Sequence, residues 1–516
     1  MATPNGACDE AQVRMRKGEA TRVANYRGLK AAAAIAGALA LSGCADKWNR
    51  PALGVDAPSR WKDVRDPKAI WPAADWWRGF GSAELTSLVQ EAERANQDIG
   101  AAKARIEQAD AQVRINGAAL IPVINGSGEA TFQPSTTTTT RISPSGQTQT
   151  STRRKEFTGQ YQAGVAASYQ LDFWGRNRAT VRSAEASATA ARFDEEVVAL
   201  SVTTGVANTY FALMSAQERL AIARGNVKSA QTILDAIQGR LDVGTATALD
   251  RAQQRAVLDQ QRATIPAIEQ EVRTNETALA LLLGRPPIRL DVKGGRLDRL
   301  KVPKVQPGLP SDLLLRRPDV REAEATLASS DASITAARAA FLPSVALTAQ
   351  GGFESAALRT LLSGSNVAYQ LAASVTQPIL DQSLPGNLDL AKGQFRENLF
   401  AYRKATIQSF VDTENALVSV RKTAEQVSLQ EAAVKSAREA YDIAQVQLKE
   451  GAIDIVTVLN TQQTLFTAQD NLATARLAKF QALVSMFEAL GGGWAASGKP
   501  AGGPPLPPFT VSATKP

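Results

Sequence analysis

The sequence contains no histidine, and only two of its 516 residues are cysteine. Without histidine, neither a Ser-His-Asp nor a Cys-His catalytic site can form, and the commonest zinc ligand is missing. If the chain is cleaved before Cys44, Cys8 is removed with the leading segment, and the one remaining cysteine cannot form an intrachain disulfide. We therefore expect a protein that is not an enzyme, holds no metal ion or cofactor, and is stabilised by packing.

The excess of positive over negative charge is also small for a chain of this length. Lysine and arginine number 58 against 50 acidic residues, which gives a net charge of +8. The basic residues are spread among acidic ones along the predicted helices and do not cluster with aromatic residues, which is typical of solvated helix faces. We therefore expect no binding to nucleic acid.

Long apolar runs are scarce as well. One run, Ala31 to Leu41, follows the basic residues Arg22, Arg27 and Lys30 and is too short to span a bilayer as a helix. Beyond it, no uninterrupted apolar run reaches the roughly 18 residues that a transmembrane helix requires. If the protein crosses a membrane, it must do so as a closed β-barrel, in which every backbone group is paired.

The segment Leu41-Ser42-Gly43-Cys44 completes this N-terminal pattern. Small residues directly before a cysteine resemble the bacterial lipobox, in which the cysteine is acylated and becomes the new N-terminus. The pattern predicts a signal peptide at 1–43 and a lipid anchor on Cys44, and Ala45 in place of aspartate favours sorting to the outer membrane. The alternative is an ordinary signal peptide with a chance cysteine. Met15 is a second candidate for the translation start.

The rest of the chain repeats itself. Val227-Lys228-Ser229-Ala230 recurs as Val434-Lys435-Ser436-Ala437, and Leu283-Gly284 recurs at the same spacing, here called the repeat offset, as Leu490-Gly491. Such self-similarity predicts a duplication. Each half is predicted to contain, in order, helix, strand, loop, strand, long helix, turn and helix.

The long helix of each half carries large residues at intervals of seven, with small residues three positions after most of them. The large positions are Val206, Leu213, Leu220, Val227, Leu234 and Leu241 in the first half, and Val420, Val427, Val434, Tyr441 and Leu448 in the second. This spacing favours coiled-coil packing over an ordinary amphipathic helix, whose apolar positions would drift away from it. A helix from about Arg178 to Leu241 would extend about 95 Å, which suits a tube across the periplasm.

Four segments alternate between apolar and polar residues, which predicts strands at about 122–132, 157–171, 344–354 and 367–377. Strands of about ten residues with one apolar face are typical of a membrane β-barrel with a wet interior. The polar segment 134–155, which contains five consecutive threonines, is expected to be an exposed and mobile loop. Because four strands cannot close a barrel, several chains must contribute.

Proline and glycine concentrate between these elements and mark the predicted divisions of the chain. After the signal peptide we expect a lipidated linker at 44–80, repeats at 81–284 and 319–491, an equatorial linker at 285–318 and a C-terminal tail at 492–516. Five tryptophans are expected to hold the N-terminal linker against the helices: Trp48, Trp61, Trp71, Trp76 and Trp77.

Several motifs together resemble those of a known family. Gly308-Leu309-Pro310-Ser311-Asp312-Leu313-Leu314 is followed by Arg316-Arg317-Pro318-Asp319-Val320, and the chain closes with Ala489-Leu490-Gly491-Gly492-Gly493-Trp494. These motifs resemble the signature of the outer membrane factor family, the TolC-like exit ducts. Within that family the resemblance is to the OprM/NodT-type lipoproteins that serve RND efflux pumps.

The resemblance implies a mostly α fold with a membrane β-barrel. In the family, three protomers share one twelve-stranded barrel that continues into a twelve-helix tunnel. A homotrimer is therefore expected, lipid-anchored in the outer membrane and extending into the periplasm. Its expected partners are outer membrane lipid, a periplasmic adaptor (membrane fusion protein) and an inner-membrane RND transporter, and its expected cargo is drugs or other small toxic compounds.

The resemblance also assigns roles to residues near the two helix turns. The adaptor contacts are expected at Arg240, Gly244, Thr245, Lys449 and Gly451, and the candidate gate residues are Tyr441, Asp442, Gln445 and Glu450. Gln445 stands where relatives carry a carboxylate, so an acidic constriction would have to come from Asp442, Glu450 or Asp454.

The motif of Arg316, Arg317, Pro318 and Asp319 is expected to tie structure together rather than to bind a ligand, because Pro318 and Asp319 suit the first turn of a helix.

Other interpretations within and outside the family stay open. A type I secretion duct or a metal-efflux duct would share the family fold, although the lipobox and the Arg316–Asp319 segment favour the RND type. A periplasmic coiled-coil scaffold lipoprotein would explain the heptads but not the four alternating strands.

Overall fold

The computed structural model describes residues 51, 54–62, 69–142, 144, 146, 148–289 and 292–494. The predicted signal peptide, Cys44, Trp48 and nearly all of the C-terminal tail lie outside these residues. Among the described residues, one compact unit consists of Pro51, Pro122–Arg176 and Thr335–Leu388. A second unit holds the remaining described residues.

Eight α-helices are described. They are α1 Ala83–Ala95, α2 Gln97–Gly117, α3 Arg176–Asp242, α4 Ala248–Leu282, α5 Pro310–Leu313, α6 Pro318–Ala339, α7 Ser383–Lys449 and α8 Ile455–Ala489. The long helices α3 and α7 have 67 residues each, and α4 and α8 have 35 each. Helices α7 and α8 begin one repeat offset after α3 and α4, so the helices recur in register with the repeated sequence motifs.

Helix α3 contains one 18-residue window that is apolar enough, by length and composition, to cross a membrane. Half of that window is buried inside the chain. Val206, Phe211 and Leu213 of this helix are completely covered. A core helix meets the same criterion, so the apolar composition of α3 reflects its central place in the helical unit.

Aromatic residues form the largest core of the helical unit. The ring of Trp76 stacks on Phe487 with centroids 4.8 Å apart, and Phe80 packs edge-on against Phe211 at 5.0 Å. Trp61 is buried in a second cluster and donates a hydrogen bond from Nε1 to the carbonyl oxygen of Gly308 at 2.7 Å. The tryptophans of the described N-terminal segment therefore pack against the helices.

The other unit holds a four-stranded antiparallel sheet in the order β1-β2-β3-β4. Its strands are β1 Val123–Ile142, β2 Thr148–Leu171, β3 Ser344–Ser355 and β4 Val367–Thr376. The strands β3 and β4 end within a residue or two of the predicted limits.

The prediction that 134–155 is a loop is wrong for 134–142 and 148–155, which belong to strands β1 and β2. The backbone of β1 stays paired with β2 through this segment, with Thr136 opposite Lys155 and Ile142 opposite Thr148. Threonine is β-branched and favours extended backbone even where no apolar alternation marks a strand. The sequence pattern therefore found only the part of the hairpin that alternates.

Candidate functional site

The strand register brings the alternating apolar positions of all four strands onto one face of the sheet. Ile124 pairs with Ala167, which pairs with Ala349, which in turn pairs with Leu371. The next row on this face ends at Tyr369. Tyr369 is 84% exposed and Leu371 80% exposed, so the part of the chain that the structure describes does not cover this apolar face.

The opposite face of the sheet is polar. Glu129 pairs with Gln162, and Gln162 pairs with Glu354; the amide of Gln160 donates a hydrogen bond to Glu354. A sheet with one uncovered apolar face and one polar face suits a boundary between lipid and water. In the described residues β1 and β4 are edge strands, each paired on one side within the chain.

In the first half, the start of α2 is tied to the end of α4. The side chain of Asn96 caps α2 by accepting from the amides of Asp98 and Ile99, and its Nδ2 donates to the carbonyl oxygen of Leu282 at 2.9 Å. Gly284 follows with a φ of 65°, and a Cβ there would overlap the carbonyl oxygen of Ala95. The side-chain amide of Asn96 thus pairs free N–H groups at the start of α2 and a free carbonyl group at the end of α4.

In the second half, Arg317 makes the corresponding tie. Its guanidinium donates to both carboxylate oxygens of Asp319 at 3.0 and 2.7 Å, to Asp412 on α7 at 3.1 Å, and to the carbonyl oxygen of Ala489 at 3.4 Å. Burial acts to lower the pKa of Arg317, but the hydrogen bonds and charges of Asp319 and Asp412 raise it above its ordinary value.

The neighbours of Arg317 in the motif also have structural partners. The guanidinium of Arg316 lies 4.5 Å from the centre of the Trp71 ring, and Pro318 begins α6. These contacts support the expectation that the motif ties structure together.

The two turns between the long and short helices are built alike. Gly244 and Gly451 have φ values of 77° and 71°, which glycine adopts without strain, and Thr245 and Ala452 donate backbone hydrogen bonds to Arg240 and Gln447. Thr247 caps α4 in a reciprocal arrangement with Asp250, and Asp454 caps α8.

Arg240 links the two turns. Its guanidinium donates to the carbonyl oxygens of Leu448 at 2.8 Å and Lys449 at 3.4 Å, the last residues of α7. A cation at a helix C-terminus is favoured by the helix dipole and by the unpaired carbonyl groups there. The tie is therefore to backbone and not to a carboxylate.

The four candidate gate residues do not share one environment. Tyr441 is buried among Ile233, Ile237 and Val458, with its hydroxyl 3.0 Å from the hydroxyl of Ser229. Its heptad position already favoured burial. Gln445 is half-buried, whereas Asp442 and Glu450 are exposed.

Asp454, the remaining acidic candidate near the turns, caps α8. It accepts from the side chain and the amide of Thr457, and these hydrogen bonds lower its pKa.

Sequence reasoning missed several ion pairs that link α3 to α8 and to α4. Arg219 forms ion pairs with Asp470 and with Glu271, both at 2.7 Å, and Arg476 lies 3.4 Å from the largely buried Glu218. These partners are separated by up to 258 residues along the chain. No local pattern could have paired them.

Comparison with known proteins places this architecture in a family. A profile of the outer membrane efflux protein family matches the chain at residues 88–285 and again at 309–492. The pyoverdine export outer membrane protein OpmQ of Pseudomonas aeruginosa is 38% identical over 446 residues, which cover 86% of this chain and 92% of that protein. The solvent efflux pump outer membrane protein SrpC of Pseudomonas putida is 31% identical over 422 residues, which cover 81% of this chain and 87% of that protein.

A solved structure shows the same fold. The open state of the MtrE outer membrane channel of Neisseria gonorrhoeae has a TM-score of 0.77 with this chain at 26% identity. The match covers 87% of this chain and 98% of that one.

The fold and the two-faced sheet thus define an outer-membrane transport protein. The chain belongs to the outer membrane efflux protein family, which confirms the resemblance found in the sequence. It is an efflux channel, the exit duct of a tripartite efflux pump, and it lies in the outer membrane and extends into the periplasm.

Proposed function

We propose that this chain is the duct of an RND-type pump for small molecules, that three lipid-anchored copies form it, and that the turns at Gly244 and Gly451 carry its gate and its adaptor contacts. The two-faced sheet with open edges carries this proposal. Two family matches in one chain, and helices of equal length at a constant offset, support the duplication within it.

The open edges of the sheet favour a homotrimer. Unpaired backbone groups on β1 and β4 would be costly in lipid, and pairing β4 of one copy with β1 of the next removes that cost. Three copies would supply twelve strands. Mass measurement after extraction in mild detergent should give three chains, and a stable monomer with full β-content would refute the trimer.

The lipid anchor on Cys44 rests on the sequence pattern. Cys44→Ser should abolish labelling by radioactive palmitate and block processing, because the acylated thiol is then missing. Cys8→Ser is the matched control and should label as the wild type does. Equal labelling of both variants would exclude the anchor.

The first turn offers an apolar contact for the adaptor. Val243 is 74% exposed beside Gly244 and Thr245. Val243→Asp should therefore abolish pump-dependent resistance while the trimer still assembles. Ile288→Asp, at another exposed position outside the turns, should keep resistance. Loss of resistance in both variants, or in neither, would argue against adaptor contact here.

Asp442 and Glu450 are the exposed carboxylates among the gate candidates. Three copies of each around one axis would form rings that bind cations and narrow the pore. Asp442→Ala combined with Glu450→Ala should raise single-channel conductance and weaken cation preference in planar bilayers. Glu107→Ala, an exposed acid on α2, should change neither property, and an unchanged double variant would place the constriction elsewhere.

The cargo is expected to be a small molecule, because pyoverdine export and solvent efflux are the functions named for the two relatives. Deleting the gene should lower the amount of secreted siderophore or raise sensitivity to solvents and drugs. A deletion strain that loses only a secreted polypeptide, or only metal tolerance, would favour the type I or the metal-efflux duct instead.

A further inference from the structure

The linker between the two repeats carries a marked excess of positive charge. Residues 285–318 contain nine lysine and arginine residues against three acidic ones, whereas the whole chain has a net charge of only +8. Some of these cations are paired: Arg296 pairs with Asp298 at 2.7 Å, and Arg285 pairs with Glu91. Four others are exposed, form no ion pair with another described residue, and are here called the basic patch: Lys293, Arg299, Lys301 and Lys304.

Two backbone contacts hold the basic patch against the start of α1. The amides of Lys293 and Gly294 donate to the two carboxylate oxygens of Glu84 at 2.9 and 3.1 Å. The amide of Lys301 donates to the carbonyl oxygen of Phe80 at 3.0 Å. Because Phe80 and Glu84 are close neighbours in the chain, both ends of the loop from 293 to 301 meet at one place.

The rest of the patch stays near this point. Val292 and Leu297 are buried in the aromatic core and fix the loop from below. Arg299 and Lys304 lie two and three residues from Lys301, which limits the separation of their Cα atoms to at most about 7 and 11 Å. The four cations therefore belong to one surface of the helical unit.

Acidic groups beside the patch are already bonded to other partners. Both carboxylate oxygens of Glu84 accept backbone hydrogen bonds, and one of them also accepts from the hydroxyl of Tyr210 at 3.1 Å. The carboxylate of Asp298 is paired with Arg296. The patch therefore presents a net positive charge to solvent.

The basic patch lies far from both ends of the long helix that supports it. Tyr210, which bonds to Glu84, stands near the middle of α3. About 50 Å of helix separates Tyr210 from the start of α3, which follows strand β2 along the chain, and a similar length separates it from the turn at Gly244. A ligand of the patch is therefore expected in the periplasm, away from the membrane and from the turns.

We infer that the basic patch binds carboxylate groups of the peptidoglycan cell wall where the duct passes through it. Ammonium and guanidinium groups donate charge-assisted hydrogen bonds to carboxylates. Each exposed pair contributes little, but the wall repeats its carboxylates, so several weak contacts act together. The inference rests on the periplasmic location of the helices and not on the proposed trimer, gate or cargo.

Two other polyanions suit the patch less well. Anionic lipid at the strands is many Debye lengths away, since that length is about 8 Å at physiological ionic strength. Single-stranded nucleic acid is bound with aromatic side chains that stack on the bases, and residues 292–306 contain no aromatic residue. Peptide carboxylates need only exposed cations.

Cosedimentation with purified peptidoglycan sacculi tests the inference on the full-length protein in mild detergent. Wild-type protein should sediment with sacculi at low salt and be released as the salt concentration rises. Loss of three charges of the patch should lower the retained fraction about tenfold. The patch variant combines Lys293→Gln, Lys301→Gln and Lys304→Gln.

A control variant loses the same charge at exposed lysines elsewhere. It should sediment as the wild type does, and it combines Lys103→Gln, Lys228→Gln and Lys435→Gln. Equal retention of the patch variant and the control variant would overturn the inference.

The chemistry of the ligand is tested with sacculi whose carboxylates have been converted to amides. These sacculi should retain little wild-type protein, and undiminished retention would exclude recognition of carboxylates. If wild-type protein ignores untreated sacculi but binds DNA or micelles of anionic lipid through the patch, another polyanion is the ligand and the inference is overturned.

Should the patch variant not fold, the single variants Lys293→Gln, Lys301→Gln and Lys304→Gln decide the question. Each should lower retention by sacculi by a smaller factor than the combined change. Wild-type retention in all three would overturn the inference.

Discussion

In each half of the chain, a side chain at the start of an earlier helix donates a hydrogen bond to a carbonyl oxygen at the end of the last helix; these two contacts are here called the joins. The backbone arrangement is alike in both joins, but the donor side chains differ. Asn96 donates to the carbonyl oxygen of Leu282 in the first half, and Arg317 donates to Ala489 in the second. Leu282 and Ala489 are equivalent by the repeat offset. Where the second half places Asp412 against its arginine, the first half has Gly205. A neutral donor, Asn96, and a charged donor, Arg317, therefore make the same kind of contact, and the charge of Arg317 is balanced by Asp412.

The largest effect is expected where both halves depend on glycine. Gly491→Ala would place a Cβ against the carbonyl oxygen of Arg316 at a φ of 82°, and Gly284→Ala would do the same against Ala95. The backbone strain alone costs about 1–2 kcal/mol, and the overlap adds to it. We expect both variants to lose the folded protein, as measured by circular dichroism on heating.

Gly451→Ala tests the backbone strain of a positive φ separately from the steric overlap of an added Cβ. Its φ is 71°, but nothing lies within 4 Å of the added Cβ. This variant should be only mildly destabilised. Equal damage in all three variants would mean that the close approach at the two joins is unimportant.

The charge of the second join can be tested next. Arg317→Ala leaves Asp319 and Asp412 without their cation, and we expect a loss of about 3 kcal/mol, at the lower end for a broken buried pair because the carboxylates are a third exposed. Asn96→Ala removes a cap and one further hydrogen bond and should cost about 1–2 kcal/mol. Urea unfolding would measure both.

A variant that gives the second half the side chain of the first half tests whether the two contacts are interchangeable. Arg317→Asn with Asp412→Ala should recover part of the stability lost in Arg317→Ala, because the excess negative charge is reduced and an amide can reach the same carbonyl. No recovery would show that the two joins are not interchangeable.

A smaller effect is expected at the turns, where Arg240 in the first half corresponds to Gln447 in the second. Arg240→Gln should weaken the link to the end of α7 by about 1 kcal/mol per protomer and make the closed state leak. The readout is conductance in planar bilayers without adaptor. Lys449→Gln is the control, and equal leakage from both variants would point to net charge instead of the tie.

The smallest effect concerns pH. Burial raises the pKa of Glu488, with Arg317 opposing and Asp412 and Asp319 adding to the rise. The folded state then holds the proton more tightly than the unfolded state, so this stabilisation is complete at low pH and falls as the pH rises from about 4.5 through the raised pKa. Glu488→Gln should flatten that dependence of Tm and lose no stability at pH 7.

Glu425→Gln provides the opposite case. The hydrogen bond and charge of Lys422 lower the pKa of Glu425, so this substitution cannot remove a decline of stability with rising pH. If Glu488→Gln keeps the wild-type slope above pH 4.5, other buried acids set the pH dependence.

Local periodicity was enough to predict the long helices and the alternating parts of the four strands, since a repeat of seven or of two is written within a few turns or pleats of backbone. It failed at the threonine run, where β-branched residues extend the hairpin without alternation. Tyr441, one of the candidate gate residues, occupies a heptad position, and the structure buries it in a hydrophobic cluster.

By itself, the sequence determined the family, the long helices, the alternating parts of the strands and which faces of these elements are apolar, because these depend on neighbouring residues. Only the tertiary structure decided that Asn96 meets Leu282, that Arg317 meets Ala489, and that α7 exposes several large apolar side chains whereas α3 exposes none. The two joins connect residues 186 and 172 positions apart. A hydrogen bond between such distant groups depends on where the intervening helices and strands bring them, and no local pattern encodes that position.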